Sequence, residues 1–267
     1  MSWIEAIILG LVQGLTEFLP VSSSGHLIIG KELLGVEVNE DAETTFEVLV
    51  HCATVLSTIC VFRNEIWKLI LGFFKFEMND ETKYIIKIFI SMIPIFIVGI
   101  FFKKQVNDFF GEGVLLVGCM LLVTAILLSL THFLKFKQRE ELSYLSAFII
   151  GISQAIAVLP GLSRSGATIS TGLFLGNKKE DVTRFSFLMV LIPILGITFL
   201  DILGGDFSPE KSGINLSAMV AGFLAAFFSG LFACKVMIAI VKRSKLVYFA
   251  TYCAIVGISV LIWQLFA

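Results

Sequence analysis

The chain is poor in charge. Only 15% of its 267 residues are Asp, Glu, Lys or Arg, against 57% that are hydrophobic. A soluble domain carries about 25% charged residues, and one with so few cannot hide this much apolar surface from water. The implied solvent is lipid, and a globular aqueous fold is excluded. With a net charge of −1 there is no basic domain to hold nucleic acid. The five cysteines (Cys52, Cys60, Cys119, Cys234, Cys253) stand singly in apolar stretches, with no CxxC pair. Neither a thiolate metal site nor a disulfide framework is expected. The first charge is Glu5, so the basic segment that opens a cleaved signal peptide is lacking as well.

What is present is a series of apolar runs. Spans of about 20 residues are expected at 44–62, 84–102, 114–133, 184–203, 216–241 and 247–266. Two further apolar regions, 3–34 and 142–176, are interrupted near their middles by Pro20-Val21-Ser22-Ser23-Ser24-Gly25 and Pro160-Gly161-Leu162-Ser163-Arg164-Ser165-Gly166. The halves are short for a span, and irregular backbone at membrane depth is tolerated only when buried in protein or lining a wet cavity. Both regions therefore read as re-entrant helix–loop–helix hairpins. The expected fold is an all-α polytopic membrane protein, a single domain over 1–267.

The two broken regions match each other. A shift of 141 residues pairs Gly10 with Gly151, Gln13 with Gln154, Ser22 with Ser163, Ser24 with Ser165 and Gly25 with Gly166. It also pairs Leu34 with Leu175, Gly35 with Gly176 and Phe46 with Phe187. Repeats over 1–133 and 142–267, each a hairpin plus three spans, would be inverted relative to one another, because an odd number of crossings turns the second copy over. Segments 63–83, 134–143, 177–184 and 242–246 carry 4, 3, 3 and 3 Lys or Arg, whereas 31–43, 103–113 and 204–215 carry 1, 2 and 1. The positive-inside rule then places the first set in the cytoplasm and both termini outside. The hairpins enter from opposite faces and can meet.

Chemistry is concentrated at the breaks. Gln13 and Glu17, four residues apart, share a helix face. Arg164 is the sole formal charge between Leu142 and Asn177. Ionisable groups at membrane depth call for a named partner; Glu17 and Arg164 are each other's, either around an anionic ligand or as a structural ion pair. Ser22, Ser23 and Ser24, like Ser163 and Ser165, can cap helix starts. With Gly25, Gly166 and Thr168 they can also form a phosphate cradle on two helix N-termini, where Arg164 grips bidentately. His26, three residues after Ser23, is a candidate base or acid beside a serine nucleophile. His132 reads as structural, and His51, inside a span, as a neighbour of the site.

The stretches QGLTEFLPVSSSGH (13–26) and LPGLSRSGATIS (159–170) closely resemble the two signature motifs of the undecaprenyl-pyrophosphate phosphatase family, also called the bacitracin-resistance family. The resemblance covers essentially the whole chain. It implies an inner-membrane phosphatase that converts undecaprenyl pyrophosphate to undecaprenyl phosphate, regenerating the carrier of cell-wall sugars, with its site on the outer side. It further implies Glu17, Ser23, His26 and Arg164 as catalytic groups. A divalent cation, Mg2+ or Ca2+, would be held by Glu17 and by Gln13, which stands where many members carry glutamate. Ser22, Ser24, Gly25, Ser163, Ser165, Gly166 and Thr168 would bind substrate.

On this reading Ser23 attacks the terminal phosphorus while Glu17 or His26 takes its proton. Water as the direct nucleophile, or histidine in that role, stays open. The partners are the polyprenyl lipid and the bilayer, and a homodimer is compatible with the sequence. The rival is a polyprenyl-phosphate flippase, since inverted repeats with broken helices are also a transporter architecture; it would need anion-binding groups but no nucleophile.

Overall fold

A computed structural model of the chain describes residues 1–266 apart from 37, 111–112, 134–140, 205–206, 208–212 and 244–245. Of the Lys and Arg residues that orient the chain, Lys135, Lys137, Arg139, Lys211 and Lys245 lie outside the described residues. Among those described, the secondary structure is helical, and six stretches are long and apolar enough to cross a membrane: Ala42–Val61, Asp80–Phe101, Gly113–Phe133, Lys179–Gly204, Leu216–Ile238 and Val247–Phe266. They fall where the apolar runs placed them. Large side chains such as Phe228, Phe232, Ile255 and Leu265 stand exposed on them, as a lipid solvent requires.

The two interrupted regions are helix pairs. Helix α1 (Trp3–Glu17) starts in a capping box, Glu5 N–H donating to Ser2 Oγ at 3.3 Å and Ser2 N–H to Glu5 Oε2 at 2.8 Å. It stops short of Pro20, whose ring cannot continue a helix. Ser22 then caps α2 (Ser23–Leu34), which ends on Gly35 in the left-handed region, φ +61°. The second pair repeats this plan. Ser143 caps α8 (Tyr144–Ile156), Ser163 caps α9 (Arg164–Phe174), and Gly176 follows at φ +81°. The longest of the four, with 15 residues, is about 23 Å at 1.5 Å per residue, less than a hydrocarbon core of about 30 Å. None of them can cross it alone.

The remaining helices are α3 (Glu40–Val61), α4 (Arg63–Phe73), α5 (Asp80–Phe101), α6 (Lys103–Phe110), α7 (Gly113–Phe133), α10 (Lys179–Met189), α11 (Leu191–Gly204), α12 (Leu216–Arg243) and α13 (Val247–Phe266). The fourth expected span is therefore not continuous. Pro193 has no N–H for the Met189 carbonyl and its ring crowds that turn, so the helix breaks at Val190. Val190 N–H turns to Leu188 O instead of Ser186 O.

Small residues let backbones approach where no hydrophobic force drives helices together. Helix α1 lies along α12, with Gly10 against Gly222 and Ala225, and Gly14 against Ala226, Ser229 and Gly230. Helix α8 lies along α5, with Gly151 against Ser91, and α7 lies along α13 at Gly118 and Gly257. A Cβ on Gly10 would meet the Gly222 carbonyl and one on Gly151 the Ser91 carbonyl, backbone that cannot give way. Gly10→Val and Gly151→Val are each expected to cost about 1–3 kcal/mol by overpacking, read as a lowered unfolding midpoint in detergent. Gly99→Ala, with open space around its Cβ, should not lower the midpoint.

Candidate active site

Glu17 closes α1, and its buried carboxylate organises the site. Oε1 accepts from Arg164 Nη2 at 2.5 Å; Oε2 accepts from Ser23 Oγ at 2.6 Å and from Gln13 Nε2 at 3.0 Å. The i, i+4 pair thus meets on one face as its spacing requires. Arg164, the first residue of α9, donates through Nη1 to Ser186 O at 3.0 Å. That is the carbonyl which the break at Val190 leaves without its helical partner. Ser186 Oγ in turn lies 2.7 Å from Thr168 Oγ1.

The serines cap and line at once. Ser22 Oγ accepts from Gly25 N–H at 3.3 Å and Ser163 Oγ from Gly166 N–H at 3.0 Å. Ser24 Oγ lies 3.4 Å from Ser22 Oγ, and Ser165 Oγ lies 3.3 Å from Ser163 Oγ. Ser165 Oγ also donates across to Leu19 O at 3.1 Å, tying the second break to the first. Ser22 holds φ +70°, a region costly for a residue with a Cβ, about 1–3 kcal/mol. Strain of that kind persists only where the surroundings hold it.

Glu17, Leu19, Ser22, Ser23, Ser24, His51, Ala157, Leu162, Ser163, Arg164, Ser165, Val190 and Ile194 line one cavity of about 200 Å³. It is smaller than the roughly 300–1,000 Å³ of pockets that enclose drug-sized ligands. It has room for a small polar group and not for a large ligand. The expected residues Gly25, Gly166 and Thr168 lie behind this lining, where the two glycines allow the first helical turns to pack: a Cβ on Gly25 would meet Gly161 Cα, and one on Gly166 the Ser163 side chain.

The histidines divide unexpectedly. His51 lines the cavity, its Nδ1 2.8 Å from Glu47 O and its Nε2 3.7 Å from Glu17 Oε2. His26 lies outside the lining, with Nδ1 2.7 Å from Ser22 O and Nε2 2.8 Å from the Tyr252 hydroxyl. Ser186, Val190, Ile194 and Tyr252 were not singled out from sequence. Pro193 inside an expected span is the one local sign that could have pointed to the first three.

For a cation, Gln13 Oε1 is a buried acceptor with no hydrogen-bond partner among the described residues. Beside it stands one carboxylate. No group of three or more His, Cys, Asp or Glu side chains able to hold a metal occurs among those residues. A hard cation such as Mg2+ draws most of its ligands from substrate phosphates and water, so the protein's share here would be the Glu17 carboxylate and the Gln13 amide oxygen; Gln13 presents Nε2 to Glu17 and does not itself line the cavity.

Comparison with known proteins agrees along the chain. The model of the family described as "Bacitracin resistance protein BacA" matches residues 6–259. A protein of Bacteroides thetaiotaomicron named undecaprenyl-diphosphatase is 56% identical over 266 residues, covering 99% of this chain and 100% of its own. One of the same name from Bacteroides fragilis is 57% identical, with 97% of each chain covered. A third, from Korarchaeum cryptofilum, is 38% identical over 96% of this chain and 97% of its own.

Removing one member of a buried ion pair leaves the other charge stranded, typically at a cost of about 3–5 kcal/mol. Glu17→Gln is expected to destabilise by that order, measured as the unfolding midpoint in detergent. Arg164→Met added to it should restore much of the loss.

Proposed function

The chain belongs to the bacitracin resistance protein family and is an undecaprenyl-diphosphatase, and we propose that Glu17, Ser23 and Arg164 carry the hydrolysis. It is a multi-pass integral membrane protein. The observation that carries the assignment is the 2.6 Å contact of Ser23 Oγ with Glu17 Oε2 beside the Arg164 guanidinium. A carrier needs an anion site; it does not need a hydroxyl held against a buried base.

Arg164 uses two of its five N–H groups on Glu17 and Ser186, so others remain for a phosphate. The first backbone N–H groups of α2 and α9 have no intrahelical partner and favour an anion. The terminal phosphate is held there, with Ser22, Ser24, Ser163 and Ser165 around it. A phosphate competes with Glu17 for the guanidinium and so releases the carboxylate to act as a base. Ser23 Oγ forms the new O–P bond while its proton passes to Glu17. The bond from that phosphorus to the bridging oxygen breaks, and its electron pair leaves on undecaprenyl phosphate. Water then attacks the phosphoserine, giving inorganic phosphate and restoring Ser23. Positioning and charge neutralisation supply most of the rate in such transfers. A divalent cation held by Gln13 Oε1 and Glu17 would neutralise charge on the diphosphate.

We assign the protein to the inner membrane, the cavity opening outward and both termini outside. The supporting observation is the bias of Lys and Arg to one set of loops. The α1–α2 and α8–α9 pairs are then re-entrant hairpins of inverted repeats over 1–133 and 142–267. Their matching serine caps, left-handed glycines and close glycine contacts support that reading.

Purified protein in detergent should release inorganic phosphate from undecaprenyl diphosphate with Mg2+ or Ca2+ and lose most activity on chelation. Ser23→Ala should reduce the rate at least about 10³-fold, as loss of a nucleophile does. Wild-type rates in Ser23→Ala would sink the serine mechanism and leave water as the nucleophile.

A further inference from the structure

Both breaks in the site need holding, and the holders lie far away in sequence. Around the first break, Ser22 O is bonded by His26 N–H at 3.2 Å and lies 2.7 Å from His26 Nδ1. A carbonyl can only accept, so Nδ1 carries a proton. In the neutral ring Nε2 then accepts from the Tyr252 hydroxyl, 2.8 Å away. The two rings stack, with centroids 5.6 Å apart and planes at 10°. Tyr252 belongs to α13, and the next residue, Cys253, donates its thiol to Pro20 O at 3.7 Å. Val21 packs in the same apolar cluster as Cys253. Helix α13 therefore meets the first break at Pro20, at Val21 and, through His26, at Ser22.

Helix α7 does the same for the second break. Thr124 Oγ1 accepts from Ser163 N–H at 3.0 Å and lies 3.4 Å from Gly161 O. Gly161, at φ +90°, lies so close to Val117 that a Cβ there would meet the Val117 backbone. Helices α7 and α13 pack on each other with Gly118 against Gly257. The last helix of the first half thus braces the break of the second, and the last helix of the second half braces the break of the first.

We propose that Tyr252 is a positioning residue of the reaction, acting through His26 to hold Ser22, Ser23 and Ser24 in register with Glu17 and Arg164. Thr124 is its counterpart for Ser163, Arg164 and Ser165. Neither Tyr252 nor Thr124 lines the cavity, so neither meets the headgroup. The inference rests on the diphosphatase reading. An inactive wild-type protein would overturn that reading, whereas an active wild type with an indifferent Tyr252 would overturn this one alone.

Tyr252→Phe keeps the stacked ring and removes only the hydroxyl. Its kcat on undecaprenyl diphosphate should fall about 10–100-fold, the effect of a small misplacement of reacting groups, while KM changes less than about threefold. In a His26→Ala background the same substitution should cause no further fall, because the link it breaks is already gone. Tyr248→Phe, an exposed tyrosine one turn earlier on α13, should leave kcat unchanged. On α7, Thr124→Val should lower kcat and Thr124→Ser should restore it. The proposal is overturned by a wild-type kcat in Tyr252→Phe, by a loss confined to KM, or by losses that multiply when His26→Ala is added. A kcat loss matched by collapse of the unfolding midpoint would also overturn it, by making the role one of stability.

Discussion

A charge buried in the protein must have a partner, and here a single pair meets that demand for two segments 147 residues apart. Glu17 and Arg164 are each costly to bury alone. Joined at 2.5 Å, they oblige the α1–α2 and α8–α9 pairs to fold against each other. The pair does not act unaided, since the Ser165 hydroxyl bonds to Leu19 O across the same junction. That hydroxyl is a second donor to a carbonyl that Val21 N–H already bonds, whereas losing either member of the pair would leave a charge buried alone. The position of Ser23 and the shape of the cavity follow from that junction, and the Ser186 carbonyl freed by the break before Pro193 joins it through Arg164.

The internal likeness of the halves shows how one plan yields two chemistries. Ser23 is the first residue of α2 and Arg164 the first residue of α9, and each follows a serine cap. The two occupy the same place in the 141-residue shift. One half puts the proposed nucleophile there and the other a cation. Glu17, which has Val158 as its counterpart, completes the asymmetry. Gln154, the counterpart of Gln13, is buried with both amide atoms lacking a hydrogen-bond partner among the described residues, so the amide–carboxylate pair exists in the first half only. Caps, glycines and packing are shared, whereas the groups assigned to chemistry differ.

Much of this was legible from residue order. Apolar length located the six spans, proline and serine located both breaks, and i, i+4 spacing joined Gln13 to Glu17. Arg164, as the sole charge in its region, found its acid partner by elimination. The rest depends on contacts that spacing does not encode. His26 neighbours Ser23 in sequence but turns toward Tyr252, 226 residues away. His51, read from its place inside a span as a neighbour of the site, lines the cavity itself because α3 packs against α1 and α12. The break at Val190 could be suspected from Pro193. That the Ser186 carbonyl would then meet Arg164 could not, because the meeting is set by tertiary packing.

Three irregular stretches converge on the cavity: 18–22, 157–163 and the turn at Val190. Each frees backbone groups that hydrocarbon cannot satisfy. Pro20 O is taken by Cys253 and Ser186 O by Arg164, and Ser163 N–H donates to Thr124; Leu19 O and Ser22 O, already bonded by the backbone N–H groups of Val21 and His26, take a second donor from Ser165 and from the His26 ring. Side chains of the proposed chemistry and their supports are thus the same groups that make broken helices tolerable inside a membrane. Partly satisfied buried networks cost more than apolar ones, so losing Arg164 strands the Ser186 carbonyl as well as a group assigned to chemistry. The polarity that would hold a diphosphate in the proposed site is the polarity that lets the backbone open there. An apolar repacking of this junction would satisfy neither requirement, because it could supply no donor to the freed carbonyls and no cation to the phosphate.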